Sequence, residues 1–294
     1  MLLSKRFTKN TLPTDTLIYA MLSHRGRVRH GNEDACAASL SAGAFVVCDG
    51  MGGAAGGEVA SLLAAETFLR HVAAPATSTP PKTPQARIQA AVQAANHAIF
   101  QKATQNTELS GMGTTLVALL YVPPKPGPVL EPKPSAAITI RPVPPSLWLA
   151  HVGDSRCYLY RGRKLSQLTD DHSLVEEQLR AGQITAAEAA ASPMRNLITR
   201  AVGSQATVEI DIQALRPQPG DLYLLASDGL NRELTDADIA TVLADIPSPP
   251  TEPYLAAACQ SLITAANNAG GRDNITVLLL AFPKGIERRK AKTS

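Results

Sequence analysis

The 294-residue sequence is poor in aromatic rings, paired cysteines, long apolar runs and net charge. Phe, Trp and Tyr together make up 4% of it, so its core has to be packed from Ala, Val, Leu and Ile. Four cysteines occur, at 36, 48, 157 and 259, with no C-x-x-C spacing. That scatter argues against a disulfide framework and against a cysteine-held zinc ion, and is expected of buried thiols in a reducing cytosol. The six histidines show no H-x-x-x-H spacing, which disfavours zinc further. No apolar run reaches the ~18 residues of a membrane span, and charge follows directly after Leu3, unlike a secretory signal. Lys and Arg number 28 against 25 Asp and Glu, a net +3 that offers no electrostatic footprint for nucleic acid or an anionic membrane. These absences lead us to expect a soluble, cytoplasmic protein.

What is present is a chain with 45% hydrophobic and 18% charged residues, enough to bury a sizeable core and too apolar for general disorder. Apolar, β-branched runs at 44–48, 115–122, 146–152, 157–161, 221–226 and 275–282 have strand length and are bounded by Gly, Asp or Pro. Between them lie stripes at the 3.6-residue period. Ile88, Ala91, Val92, Ala95 and Ile99 form one, opened by Thr83 as N-cap and Pro84 as first helical residue. Val59, Leu62, Leu63, Leu69 and Val72 form a second after a Gly56–Gly57 break. Leu255, Cys259, Leu262, Ile263 and Ala266 form a third, closed by Gly270 and Gly271. The helices do not alternate regularly with the strands, which favours an α+β fold with antiparallel sheets over a doubly wound one.

Of 22 prolines, nine fall within 123–145, a stretch expected to be a stiff insertion in a hairpin loop rather than sheet. The sequence ends on a short basic tail at 284–294. A further irregular region, 168–203, holds a helix opening at Ser173 and a capping-box pattern of Thr185 with Glu188.

The placement of Asp and Gly relative to the strands carries the chemistry. Asp49–Gly50, Asp154 and Asp228–Gly229 each follow an apolar run, whereas Asp273 precedes one. In antiparallel sheets the end of one strand lies beside the beginning of its neighbour, so these four carboxylates can share one edge. Any single Asp-Gly is more often only a turn. Unit charges about 4 Å apart repel by roughly 4 kcal/mol at an effective dielectric near 20, so such a cluster calls for cations. Oxygen ligands without His or Cys select Mg2+ or Mn2+. Near the N-terminus, GRVRHGNED adds Arg29 and the pair Glu33 and Asp34, and a guanidinium beside a two-metal site suits a phosphate.

With these residues in place, the chain closely resembles the metal-dependent protein phosphatases of type 2C, the PPM family, in their compact bacterial form. The resemblance runs from about residue 18 to 282 in eight ordered segments: GRVRHGNED, VVCDGMGG, GMGTTL, AHVGDSRCYL, LTDDHSLVEEQLRAGQIT, RNLITRAVG, LLASDGL and GGRDNITV. It implies an α+β fold of two stacked antiparallel sheets, a β-sandwich flanked by helix pairs, forming one catalytic domain over 18–283. Within that domain, 123–145 is an insertion and 168–203 a flap. It implies two Mn2+ or Mg2+ ions per site. Asp49 would bridge them, the Gly50 carbonyl would add a ligand, Asp228 and Asp273 would complete the first ion, and Glu33 and Asp34 would act near the second, partly through water. Asp154 would serve a third, weaker ion with Asp228, and Arg29 would hold the substrate phosphate.

The activity so implied is hydrolysis of phosphoserine and phosphothreonine in proteins by a water bridging the two ions, with no covalent intermediate. Its partners would be phosphorylated proteins, namely the substrates of a Ser/Thr kinase and the kinase itself, and the chain would be a monomer. Two positions depart from the pattern. Met51 stands where some relatives carry a histidine acting as general acid, and a thioether cannot donate a proton, which leaves a metal-bound water as the expected donor. Ser192 stands before Pro193 where many bacterial relatives have His. A pseudophosphatase that only binds, and a hydrolase of small phosphoesters, remain the alternative readings.

Overall fold

A computed structural model describes residues 17–52, 56–74, 81, 83–123 and 146–283. The proline-rich insertion, apart from Pro123, and the basic tail lie outside the described residues. Eleven strands appear among those described: β1 Ile18–His24, β2 Asp34–Ser39, β3 Ala44–Met51, β4 Gly113–Thr114, β5 Leu116–Tyr121, β6 Leu147–Val152, β7 Arg156–Arg161, β8 Lys164–Gln167, β9 Asp211–Leu215, β10 Leu222–Ala226 and β11 Ile275–Ala281. The helices are α1 Gly56–Ala73, α2 Pro84–Gln105, α3 Leu174–Arg180, α4 Ala186–Ala191, α5 Asp228–Asn231, α6 Asp236–Ala244 and α7 Glu252–Ala269.

The strands form two antiparallel sheets. One has the order β1-β11-β10-β7-β8, and the other β2-β3-β5-β6-β9 with β4 paired to β3. The period-2 alternation of side chains sorts each strand between two cores. Phe45 and Val47 of β3, Val117 and Leu119 of β5, Tyr223 and Leu225 of β10, and Leu278 and Leu280 of β11 meet between the sheets. Their neighbours in sequence face the other way. Ala44, Val46 and Cys48 pack beneath α1 and α2, whereas Val277, Leu279 and Ala281 pack beneath α7. Helices, sheet, sheet and helices thus form four layers, the α+β sandwich expected from the sequence.

Five of the scarce aromatic rings lie in the core between the sheets. Tyr19 meets Phe45 edge-on at 5.6 Å between ring centroids, and Phe282 meets Tyr121 and Tyr223 at 5.5 and 5.7 Å. All four cysteines are free thiols; three are buried and Cys36 is half-buried. No helix among the described residues is long and apolar enough to cross a membrane.

Two of the three helical stripes lie where the period places them: every residue named for α2 and α7 is buried. Thr83 caps α2 through its side chain, accepting from the Ala86 N–H, with Pro84 in the first turn. The α1 stripe differs. Leu62 is 51% exposed, and Val59, Leu63 and Leu69 are only partly buried, while Ala60, Ala64, Ala65 and Phe68 face the sheet. Close approach of α1 to β3 admits only alanine-sized side chains over most of that face. Gly56 and Gly57 are no break either, because they form the buried first turn of α1.

Candidate metal centre

The acidic residues gather at one end of the sandwich because antiparallel pairing brings them there. β2 and β3 pair with Asp34 opposite Asp49. β10 and β11 pair with Ala226 opposite Val277, so Asp228, just past one strand, lies near Asp273, just before the other. Asp154 follows β6 in the turn to β7. Asp49 and Gly50 lie within β3 rather than beyond its end, since β4 extends the pairing through Gly50 and Met51.

Together these segments wall a cleft of about 600 Å3. Of the residues singled out from the sequence, Arg29, Glu33, Asp49, Gly50, Asp154, Asp228 and Asp273 line it, as does Met51. Asp34 sits behind them. Its Oδ2 accepts a 2.7 Å hydrogen bond from the Ser227 hydroxyl, while its Oδ1 is buried without a partner. Asp228 Oδ1 is likewise buried and unpartnered.

Backbone packing holds the carboxylates in place. A Cβ on Gly50 would stand 2.0 Å from the Gly57 carbonyl oxygen and 2.6 Å from that of Glu33, so only glycine lets β3 pass this close to α1. A Cβ on Gly229 would stand 2.0 Å from the Asn274 carbonyl oxygen, which locks α5 against the start of β11. Behind Asp49, the Thr115 hydroxyl accepts the Asp49 N–H at 2.9 Å and pairs with Ser155 at 2.7 Å, and the Thr114 hydroxyl donates to the Asp49 carbonyl at 2.8 Å. The Gly111–Thr115 segment therefore shapes the sheet behind the cleft. Asn274 receives the Glu33 N–H on its Oδ1 at 2.8 Å and donates to the Arg25 and Gly31 carbonyls, tying the loop of Arg29 and Glu33 to the Asp273 turn.

Burial pushes up the carboxyl pKa values of five members of the cluster, and neighbouring carboxylates add to the effect. Asp34 rises to about 6, and Asp49 and Asp228 rise well above the ordinary range. Asp154 and Glu33 rise as well, again mainly by burial. Two cations face the group. Arg29 at the rim, half-exposed, donates to Asp273 Oδ2 at 2.9 Å. Arg232 pairs with Asp228, donates to Asp273 Oδ2 at 2.8 Å and lies 4.0 Å from Asp154 Oδ2. Five aspartates and a glutamate against two arginines, with buried carboxylate oxygens left unpartnered, make a donor set of hard oxygen atoms that fits divalent Mg2+ or Mn2+.

A second group of titratable side chains lies beyond Asp154. His151 and His172 are buried and stack at 4.3 Å between ring centroids, and their nitrogens lie within 4.8 Å of an Asp211 oxygen. Its hydrogen bonds do not fit a metal. The Gly153 N–H donates to His172 Nδ1 at 3.1 Å, which assigns the proton to Nε2, the nitrogen that would have to offer a lone pair. His151 Nε2 is taken up by the Asp170 carbonyl at 2.8 Å. Burial lowers the pKa of both rings, that of His172 to about 4, so each is neutral near pH 7. The His172 backbone also bonds Gly153, its N–H reaching the Gly153 carbonyl at 2.9 Å, so the residue anchors the turn that carries Asp154.

The 168–203 region passes beside the cleft. Ser173 caps α3, the capping box of Thr185 and Glu188 opens α4, and Asn196 and Ile198 reach the cleft wall. Sequence reasoning missed His30, Asn196, Ile198 and Arg232 as lining residues. Arg232 had a readable signal of its own, since it stands four residues after Asp228 and so shares a helical face with it.

Comparison with known proteins agrees with this geometry. The family model described as Protein phosphatase 2C matches residues 23–130. The serine/threonine phosphatase stp of Listeria innocua is 34% identical over 265 residues, covering 87% of this chain and 92% of that protein. The serine/threonine protein phosphatase PstP of Mycobacterium tuberculosis is 37% identical over 268 residues, 90% of this chain and 45% of that protein. A crystal structure of PstP superposes with a TM-score of 0.75 at 34% identity, covering 91% of this chain and 99% of that one. A structure of the PstP catalytic domain with two manganese ions gives a TM-score of 0.71 at the same identity and coverage.

Proposed function

The chain belongs to the protein phosphatase 2C family, and we propose that it is a Mn2+- or Mg2+-dependent protein serine/threonine phosphatase acting on phosphoserine and phosphothreonine side chains. The observation that carries this reading is the convergence of Asp34, Asp49, Asp154, Asp228 and Asp273 on one cleft, with Arg29 at its mouth and too few cations to balance them. Asp49 would hold both ions and the Gly50 carbonyl one of them, Asp228 and Asp273 the first, and Glu33 and Asp34 the surroundings of the second. When bound, the ions supply the acidity that makes water a nucleophile at neutral pH and the charge that neutralises phosphate oxygens.

The chain's own residues do the rest. Arg29 can exchange its single bond to Asp273 for a phosphate, which its guanidinium grips through two N–H groups. The described lining contains no Ser, Thr or Cys, and its carboxylates are the residues that would hold the ions, so direct hydrolysis by water is the step this reading assigns. Met51 has no proton to give, and the two buried histidines are held by backbone groups outside the cleft lining; water in the cleft is the donor for the leaving alkoxide in this reading, with His30 the one imidazole in the lining. Phosphorylated proteins are the substrates in this reading, with a Ser/Thr kinase and its targets as partners. Four unpaired thiols support a cytoplasmic location.

The test is phosphate release from phosphothreonine peptides and from a small aryl phosphate, each with Mn2+ and with EDTA. Mn2+-dependent release from the peptides is expected. Release from the small phosphate alone would replace the reading with a small-ester hydrolase, and no release from either would leave only a binding role.

A further inference from the structure

The acidic cleft has apolar side chains on its walls. Val28, Met51 and Ile198 line it together with the carboxylates. Of the seven exposed large apolar side chains among the described residues, three belong to the loop and the turn that supply this lining: Val28 at 62%, Met194 at 55% and Leu197 at 53%. Single exposed apolar residues are ordinary, whereas several gathered beside a binding cleft mark a contact surface. Neither segment is loose. The N–H groups of Arg27 and Val28 both donate to the Gly271 carbonyl, at 2.7 and 3.3 Å, and the Asn274 amide holds the Arg25 and Gly31 carbonyls on either side. The turn of Met194 is closed by the Leu197 N–H on the Met194 carbonyl at 2.9 Å. It is tied to the start of α3 by the Leu174 N–H on the Leu197 carbonyl at 2.9 Å, and Ile198 pairs with Ser173 in a β-bridge. Apolar side chains on a fixed backbone need little ordering when they bind.

We propose that Val28 and Ile198 determine substrate specificity: they receive a large aliphatic or aromatic side chain next to the phosphorylated residue, and Met194 and Leu197 continue that surface along the turn. A phosphoserine or phosphothreonine side chain is short, so with its phosphate on Arg29 the neighbouring residues of the substrate lie at the cleft walls. A charged neighbour placed there would exchange water for aliphatic carbon and gain no partner. An apolar contact is made alike in the ground state and the transition state, so it acts on KM rather than on kcat.

The inference rests on the phosphatase reading above, and a ratio separates the two. Phosphothreonine peptides that differ only in the residue on either side of the phosphothreonine (Leu, Phe, Gly, Lys or Glu) are compared by kcat and KM on the full chain with Mn2+. Leu or Phe in at least one of the two positions is expected to raise kcat/KM about tenfold over Gly, almost entirely through KM. Val28→Thr combined with Ile198→Thr should bring the Leu-to-Gly ratio to within about twofold of one, whereas Val28→Ile combined with Ile198→Val should keep it. A ratio measured on one enzyme is not moved by a general loss of activity. Val28→Thr alone, at an exposed position, should lower the ratio by about twofold or more and decides if the double variant does not fold. Equal rates for all neighbours, a preference for Lys, or a Leu preference that the Thr variants keep overturns the inference. So does a preference for Glu, which would give the contact to the exposed Arg25 and His30 of the same loop. No Mn2+-dependent release from any of the peptides overturns the phosphatase reading and the inference with it.

Discussion

The carboxylate cluster and the histidine pair are both buried, both shifted in pKa by the same desolvation, and lie on either side of the Gly153–Asp154 turn. They respond to burial in opposite ways. An imidazole escapes its desolvation cost by dropping a proton, so at neutral pH His151 and His172 stack as neutral rings and need no counter-ion. A carboxyl escapes only by keeping a proton. Asp34, at about 6, is largely ionised at pH 7 and repelled by its neighbours, and two buried oxygens of the cluster find no donor. The difference shows that burial and proximity do not by themselves make a metal centre. What makes one is charge that the protein leaves unbalanced.

The sharpest way to break this contrast is to neutralise one member of each group. Asp49→Asn is expected to lower kcat towards a phosphothreonine peptide by roughly 1,000-fold or more with circular dichroism unchanged, since it removes the carboxylate proposed to hold both ions. His151→Gln, which keeps a donor for the Asp170 carbonyl, should stay within about tenfold of the wild type. Equal losses in the two variants would put the histidine pair in the reaction.

A subtler contrast lies in pH. The folded pKa of Asp34 is raised from 3.8 to about 6, so its contribution to stability is present below pH 3.8 and lost as pH rises through about 6. Asp49 and Asp228 extend that loss to higher pH. His172 has the opposite sign. Its folded pKa is lowered from 6.5 to about 4, so its contribution is present above pH 6.5 and lost as pH falls through about 4. Urea unfolding in EDTA between pH 4 and 8 should therefore show the histidine on the acid limb and the carboxylates on the neutral one. His172→Asn should flatten the acid limb by about 1–3 kcal/mol, and Mn2+ should stabilise the protein more at pH 8 than at pH 5. A Mn2+ effect independent of pH would mean that the carboxylates are not its ligands.

The smallest effect concerns the support behind the cluster. Thr115→Val keeps the shape but leaves the buried Asp49 N–H without its acceptor, and should cost about 1–2 kcal/mol in urea melts with little change in KM. A neutral result would show that water replaces the hydroxyl.

Much of this was legible along the chain. The apolar, β-branched runs mark the central strands, which are buried on both faces and so read as continuous apolar segments. β1, β2 and β9 were not legible in that way, because they are edge strands of mixed burial whose identity comes from pairing with β11, β3 and β6. The α1 stripe misleads for a related reason: large apolar residues mark a buried face only where the neighbouring layer leaves room for them, and against β3 the alanines fit instead.

The sequence by itself determined the inventory of the site, because hydrophobic periodicity and Asp-Gly punctuation are local properties of a chain. Which carboxylates face one another was decided only by tertiary structure, through cross-strand register and through the glycine contacts that set how closely α1 and α5 approach the strands. The same is true of charge. A net +3 is a sum over residues, whereas the unpartnered oxygens of Asp34 and Asp228, and the guanidinium of Arg232 among three carboxylates, exist only once distant segments are packed within a few ångströms.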